Sequence, residues 1–433
     1  MARTRRTTNT RPGRRAKATA STRSDALPPA TRMTRVAMLV WAVSLSSLVA
    51  AAAIVERRPV IVLIVVAVCV AAFWLLTRTG RPGACAAIPC GIVGLTAGIV
   101  FGPGHIAWAG MGWRVVAGLL LLAAGVVLLL TGIPRLVPGP ARGRRLVARL
   151  SVAVVAAVAV WTLTPAVLAT NPPHIPSGDA KPEAFGLTAR EVQYVAGDGV
   201  QLGAWYVPSS NGAAVVLRHG AGSTSSDVFA QAAALAYHGY GVLITDARGH
   251  GLSDGRGMEF GWYGDVDIDA AVSFLVDQPD VDFGRIAVLG VSMGGEEAVG
   301  AAARDTRIAA VVAEGATART AGDKAWLADV YGWRGHVQLV FERIQYWLAD
   351  QLTAASSPIS LANAAADASP RPVLLITAGD VPDEGHAAAH IQRSSSGNVT
   401  IWDVPGAGHI KGLSVAPALW EETVVNFLDN ALE

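Results

Sequence analysis

Apolar positions in the first 170 residues fall in long runs with few interruptions, whereas those in the remainder fall in short runs separated by polar, helix-length stretches. The long runs lie at about 36–55, 59–76, 84–102, 115–133 and 147–169. Each reaches or approaches the roughly 20 helical residues needed to cross a hydrocarbon core, and the third is the weakest. A transmembrane bundle of about five helices is therefore predicted over 36–170. Gly and Ala within the runs, as in "LLAAGVVLLL", suit close helix packing in lipid. Prolines and polar residues in "TNPPHIPSGDAKPEA" mark a linker over 171–186.

Beyond the linker the period changes. "EVQYVAGDGVQLGAWYVP" alternates apolar and polar residues around Asp198-Gly199, which predicts an antiparallel hairpin. "AAVVLRHG", "GVLITDARGHG", "RIAVLGVS", "IAAVVAEGA" and "RPVLLITAGD" are short continuous apolar runs, as expected of strands buried on both faces of a parallel sheet. Helical stretches lie between them, so residues 187–433 are predicted to be an α/β domain. A final strand, "VTIWDVPG", precedes an amphipathic closing helix, and the span 317–371 breaks the alternation as a helical insertion, a candidate lid. Its tryptophans, Trp326, Trp333 and Trp347, are expected to be core residues rather than a substrate cage.

Charge divides at the same place. Residues 1–170 hold 20 Lys and Arg against 2 acids, a net +18, and residues 171–433 hold 15 against 31, a net −16. Because the basic half is also the apolar one, it points to a bilayer and not to nucleic acid. Residues 1–35, rich in Arg, Thr and Ala, are too polar to bury a core and are expected to be disordered in the cytoplasm. Loops with Arg78 and Arg81 and with Arg135, Arg142, Arg144 and Arg145 would also lie inside. Five spans then put the α/β domain on the extracytoplasmic side. Cys69, Cys85 and Cys90 all sit in or beside apolar runs, so the second half holds no disulfide.

The candidate chemistry sits at strand ends. "GVSMGG", residues 290–295, places Ser292 between Gly290 and Gly294 where a strand pattern gives way to a helix pattern. Such a turn strains the serine outward and needs small neighbours. The opening helix turns its N–H groups toward a developing oxyanion. A serine hydroxyl needs a base, and the base an orienting carboxylate. His409, in "VPGAGHIKG" after the last strand, is the expected base, and Asp380, ending "VLLITAGD", the expected acid; Asp383, Glu384 and Glu314 are alternatives. Other polar residues have blander readings. His386 and His390 lack the glutamate of a zincin, so no metal is expected. Asp246, Arg248 and His250 fix a loop by local hydrogen bonds. Glu296 and Glu297 favour their helix dipole, or else select a substrate amine.

Taken together, "DGVQLGAWYVP", "LRHGAGS", "DARGHGLSDG", "GVSMGG", "AGD" and "GAGH" resemble the α/β-hydrolase fold family of serine hydrolases, nearest to its prolyl-oligopeptidase-like and serine-aminopeptidase-like branches. The resemblance covers about 190–430 and leaves out the apolar half. It implies Ser292 as nucleophile, the N–H groups of Met293 and Ala221 as oxyanion donors, and no cofactor. It departs from the family in one place: the acid usually stands three residues beyond the glycine that closes the strand, but Asp380 follows Gly379 directly. The expected function is membrane-anchored cleavage of an acyl bond in a small-molecule substrate, foremost a carboxylic ester. A peptidase or acyltransferase of the same fold is the alternative. From another class, the domain would be a non-catalytic appendage of a transporter or sensor, although the spans hold almost no ionisable residues of the kind transport pathways use.

Overall fold

The computed structural model describes residues 81–138, 142–395 and 397–433. The basic segment 1–35 and the first two expected spans, 36–55 and 59–76, lie outside the described residues. Three apolar helices occupy the described part of the first half: α1 (Arg81–Ile99), α2 (Trp113–Leu136) and α3 (Arg142–Thr170). By length and composition alone, the segments Gly83–Trp108, Trp113–Leu136 and Arg142–Thr170 could each cross a membrane. The stretch expected to be the weakest runs on past residue 102. After α1 the chain continues through a π-helical turn, Val100–Gly104, and a last turn, His105–Ala109. Pro103, which has no N–H to donate, sits inside that π turn, where the wider spacing absorbs a break in the helical ladder.

Glycines let α1 and α2 touch backbone to backbone. A Cβ built on Gly118 would lie 2.2 Å from the Gly102 nitrogen, and one on Gly125 would lie 2.6 Å from that of Leu95. Larger residues would force the helices apart. Leu120 and Leu130 on α2, with Val147, Leu150, Val154 and Val155 on α3, remain exposed.

The α/β domain is one eight-stranded sheet. Its strands are β1 (Arg190–Val195), β2 (Gln201–Val207), β3 (Ala214–Arg218), β4 (Gly241–Thr245), β5 (Ile286–Val291), β6 (Ile308–Glu314), β7 (Val373–Ala378) and β8 (Val399–Val404). They lie in the order β1-β2-β4-β3-β5-β6-β7-β8. The expected hairpin is β1–β2; β2 also runs antiparallel to β4, and every other pairing is parallel. Alternate residues of the same strands feed two cores. Val216, Leu243 and Val288 pack with Ile268, Leu275 and Val299 on one face. Val215, Leu217 and Leu289 pack with Phe229, Leu235, Trp420 and Leu428 on the other. Burial on both faces is why β3, β4, β5 and β7 read as unbroken apolar runs.

The connecting helices are α4 (Phe229–Tyr237), α5 (Gly264–Val276), α6 (Met293–Arg304), α7 (Trp326–Tyr331), α8 (Trp333–Leu352), α9 (Leu361–Asp367), α10 (Pro382–Ser394) and α11 (Pro417–Leu432). The insertion between β6 and β7 is helical, formed by α7, α8 and α9. Of its three tryptophans only Trp326 is core; Trp333 and Trp347 are 72% and 63% exposed. Both lie exposed on α8, Trp347 at the edge of a cavity lined also by Trp262, Thr320 and Asn363, which the helical period of that segment did not reveal.

Candidate active site

β5 ends at Val291 and α6 begins at Met293, so Ser292 makes the whole turn between them. It does so at φ 53°, a conformation that costs free energy for any residue with a Cβ. The flanking glycines are sterically required. A Cβ on Gly290 would lie 2.1 Å from the Gly294 carbonyl oxygen, and one on Gly294 would lie 2.5 Å from that of His219. Strand and helix thus meet closely enough to hold the serine out, and Ser292 is partly exposed.

The loop after β8 brings His409 to this turn. His409 Nε2 lies 2.9 Å from Ser292 Oγ, and the imidazole is 46% exposed. Gly315, directly after β6, leaves the ring its space: a Cβ there would lie 2.9 Å from His409 Cε1. Ile410 follows at φ 51°, a rare conformation for a β-branched residue, so the loop is strained immediately after the histidine.

The carboxylate beside His409 belongs to Glu384 and not to Asp380. Glu384 Oε1 accepts from His409 Nδ1 at 2.6 Å, and Oε2 accepts from the Ala378 N–H at 2.9 Å. The cause is local geometry. β7 stops at Ala378, the chain turns, and α10 starts at Pro382, so its first turn swings the buried Glu384 side chain back over the strand end. Asp380 lies in the turn itself, exposed, with its N–H donating to the Ala407 carbonyl. Asp383 accepts from the Tyr331 hydroxyl at 2.6 Å. Glu314 accepts from Gly412 N–H at 2.8 Å and Trp420 Nε1–H at 3.0 Å, bracing the chain just beyond His409. The hydrogen bond to Glu384 raises the His409 pKa above its ordinary 6.5, against the lowering effect of burial. With Nδ1–H directed at Glu384, Nε2 is left as acceptor for the serine proton.

The turn after β3 faces the same serine. A Cβ on Gly220 would lie 3.1 Å from Ser292 Cβ, so this turn packs against the elbow at Gly220, the residue before Ala221. Met293 opens α6, so its N–H has no acceptor within the helix. His219, fully buried, is held neutral because burial depresses its pKa well below 6.5. Its Nδ1 lies 2.7 Å from the Gly220 carbonyl, and its Nε2 accepts from Ala247 N–H at 2.9 Å. That tautomer fixes the turn. Glu259 adds a second brace, accepting from Gly222 N–H at 2.7 Å. No motif in the sequence singled out Glu259 or Gly315, though a glycine directly after a strand end was a usable sign for the latter.

Charged residues near the elbow are internally paired. Arg218 binds Glu297 at 2.5 Å and Asp267 at 3.3 Å, all three buried. Glu296 accepts from Ala318 N–H at 2.8 Å and Thr317 N–H at 3.0 Å, and burial pushes its pKa up to about 7. Asp246 accepts from Ser225 and Leu252 N–H groups, a local loop role. His386 stacks near Trp326, with ring centroids 5.5 Å apart. Among the described residues, no three His, Cys, Asp or Glu side chains are placed to share a metal ion.

The chain is similar to known proteins over part of its length. The family model described as "Serine aminopeptidase, S33" matches residues 209–369. An uncharacterized protein of Mycobacterium tuberculosis is 38% identical over 137 residues, 30% of this chain and 47% of that protein. Thiohydrolase aneE of Aspergillus aculeatus is 34% identical over 134 residues, 29% of this chain and 41% of its own length. The chain therefore spans less than half the length of these relatives. Among solved structures, a Pyrococcus furiosus esterase aligns with 61% of this chain and 98% of its own at 23% identity and a TM-score of 0.48. Over residues 209–369 the chain is thus similar to a serine hydrolase family, and those residues contribute β3 to β6 of the mostly parallel sheet and the serine elbow.

Proposed function

We propose that the chain is a membrane-anchored serine hydrolase that cleaves a carboxylic ester through an acyl-enzyme on Ser292. The observation that carries this reading is the unbroken relay from Ser292 Oγ to His409 Nε2, at 2.9 Å, and from His409 Nδ1 to Glu384, at 2.6 Å. Ser292 Oγ attacks the acyl carbonyl carbon while its proton passes to His409 Nε2. The N–H groups of Met293 and Ala221 receive the charge that gathers on the carbonyl oxygen. Collapse breaks the ester C–O bond, and the imidazolium returns the proton to the departing alkoxide. Water then repeats the sequence against the acyl-enzyme, giving the acid and restoring Ser292. Glu384 orients the imidazole and balances its charge throughout.

Two features support an ester over a peptide with a free amino terminus. Glu296 and Glu297, in the helix that opens at the elbow, are committed to backbone N–H groups and to Arg218, so neither waits for a substrate ammonium. The relative named a thiohydrolase is consistent with acyl chemistry. Anchoring is supported by the three apolar helices, each long enough to span a bilayer. Assays with p-nitrophenyl acyl esters of graded length, set against matched peptide amides, test the reading. Ester turnover lost in Ser292→Ala upholds it; turnover surviving that change, or confined to amides, refutes it.

A further inference from the structure

The helix α8 carries five large apolar residues on one line: Trp333, Val337, Val340, Ile344 and Trp347. All are exposed, the two tryptophans at its ends most of all. Steps of four and three residues keep them on a single face about 21 Å long at the helical rise of ~1.5 Å per residue. Other sides of α8 are occupied: Gly335, Leu339, Ala349 and Leu352 are buried, as is Leu348, one turn beyond Ile344 at the edge of the stripe. A soluble domain rarely leaves such a stripe bare.

What lies beside the stripe identifies its occupant. Phe341 meets Trp161 of α3 edge to face, with centroids 5.6 Å apart. Leu348, Ala349 and Leu352 share one apolar cluster with Ala166 and Val167 of α3 and with Val100 and Phe101. Contact therefore advances in the same sense along both helices. The N-terminal half of α8 is thereby carried back toward the exposed Val154, Val155 and Val158 of α3, the apolar surface of a candidate membrane span. The two bare faces therefore belong to helices that pack together.

The same helices reach the active site. Trp108, the last residue of the span Gly83–Trp108, lies against Gly222: a Cβ there would be 3.3 Å from the indole. Glu259, which holds Gly222, donates its own N–H to the Ala169 carbonyl at the end of α3. Lid, oxyanion turn and apolar helices are thus one contiguous body.

Resting on the anchored-hydrolase reading, we propose that the Trp333–Trp347 face of α8 lies in the lipid of the bilayer that α3 enters, so that the Ser292 site receives an acyl ester carried in the membrane. Exposed Trp, Val and Ile side chains beside the apolar surface of a candidate span suit contact with acyl chains and their headgroup boundary. An ester lodged in the same leaflet then reaches the elbow beneath the lid without leaving the membrane surface.

The test uses the full chain, with its three cysteines replaced, reconstituted in phosphatidylcholine vesicles. An environment-sensitive fluorophore is attached at Val340→Cys and, as an aqueous control, at Tyr237→Cys, a residue 84% exposed on α4. Expected is quenching at position 340 by brominated acyl chains and not by iodide, with the reverse at position 237. Iodide quenching at 340, or protection there from both quenchers, overturns the lipid contact; the second result would mean that protein covers the face. A kinetic arm uses Val340→Glu. Turnover of a water-soluble short-chain ester should be unchanged, while turnover of a long-chain ester embedded in the vesicles falls at least tenfold. Equal loss on both esters, or no loss on the embedded one, overturns membrane delivery. If the parent chain cleaves neither ester, the hydrolase reading fails, and the quenching result still decides the lipid contact.

Discussion

Glu384 Oε1 stands 2.6 Å from His409 Nδ1, while Asp380, the strand-end carboxylate that the sequence favoured, is exposed in the preceding turn. Because Glu384 is buried and also accepts from Ala378 N–H, its carboxylate is held in one place. Replacing it with Gln should lower kcat by roughly 10²- to 10⁴-fold, since the amide cannot fix the imidazole tautomer or balance its charge. Asp380→Asn should leave kcat within about twofold. Steady-state kinetics of the two variants checks the assignment; the opposite ranking would return the role to Asp380.

The pH dependence follows from the same contact. Glu384 raises the His409 pKa above 6.5, and only the neutral imidazole can take the serine proton. Activity should therefore rise with pH through a pKa above 6.5 and be lost below it. The sign for stability is the reverse: the contact favours the folded state below the unfolded-state pKa, and this contribution disappears as pH rises through the folded one. A profile of kcat/KM should show the acid limb moving down in Glu384→Gln.

Elbow packing gives a stability prediction. The missing Cβ of Gly294 would sit 2.5 Å from the His219 carbonyl oxygen and 2.6 Å from that of Arg218. Both are backbone atoms that cannot swing aside. Gly294→Ala should cost about 1–3 kcal/mol, by analogy with other overpacked sites, and should also displace Ser292. Thermal unfolding and ester turnover should fall together.

The buried ion cluster should be intolerant of single deletions. Glu297→Ala leaves Arg218 without its nearest carboxylate in a fully buried site. A loss of about 3–5 kcal/mol is expected, because an uncompensated buried charge outweighs the lost pair. Denaturant unfolding of the variant measures it; a change below ~1 kcal/mol would show that Asp267 suffices.

Much of this was legible before any coordinates. Unbroken apolar runs named the parallel strands because burial on both faces leaves no polar alternation to read. Ser292 and His409 were legible because each is tied to a chain feature, a glycine-flanked elbow and a glycine-flanked loop after the last strand. The acid was not. Its choice depends on how the chain turns between Ala378 and Pro382, and three carboxylates within five residues present nearly the same pattern. The exposed stripe of α8 was hidden for a different reason. Helical periodicity reports an apolar face without saying what covers it, so Trp333 and Trp347 read as core.

The central claim is that the Ser292 hydroxyl is activated by His409 in an accessible site. Fluorophosphonate labelling of the detergent-solubilised chain, with the adduct located by peptide mass spectrometry, tests it most directly. The account predicts one adduct, on the peptide containing Ser292, absent from Ser292→Ala and strongly reduced in His409→Ala. A folded chain that takes up no label, or carries it on another residue, would contradict the account.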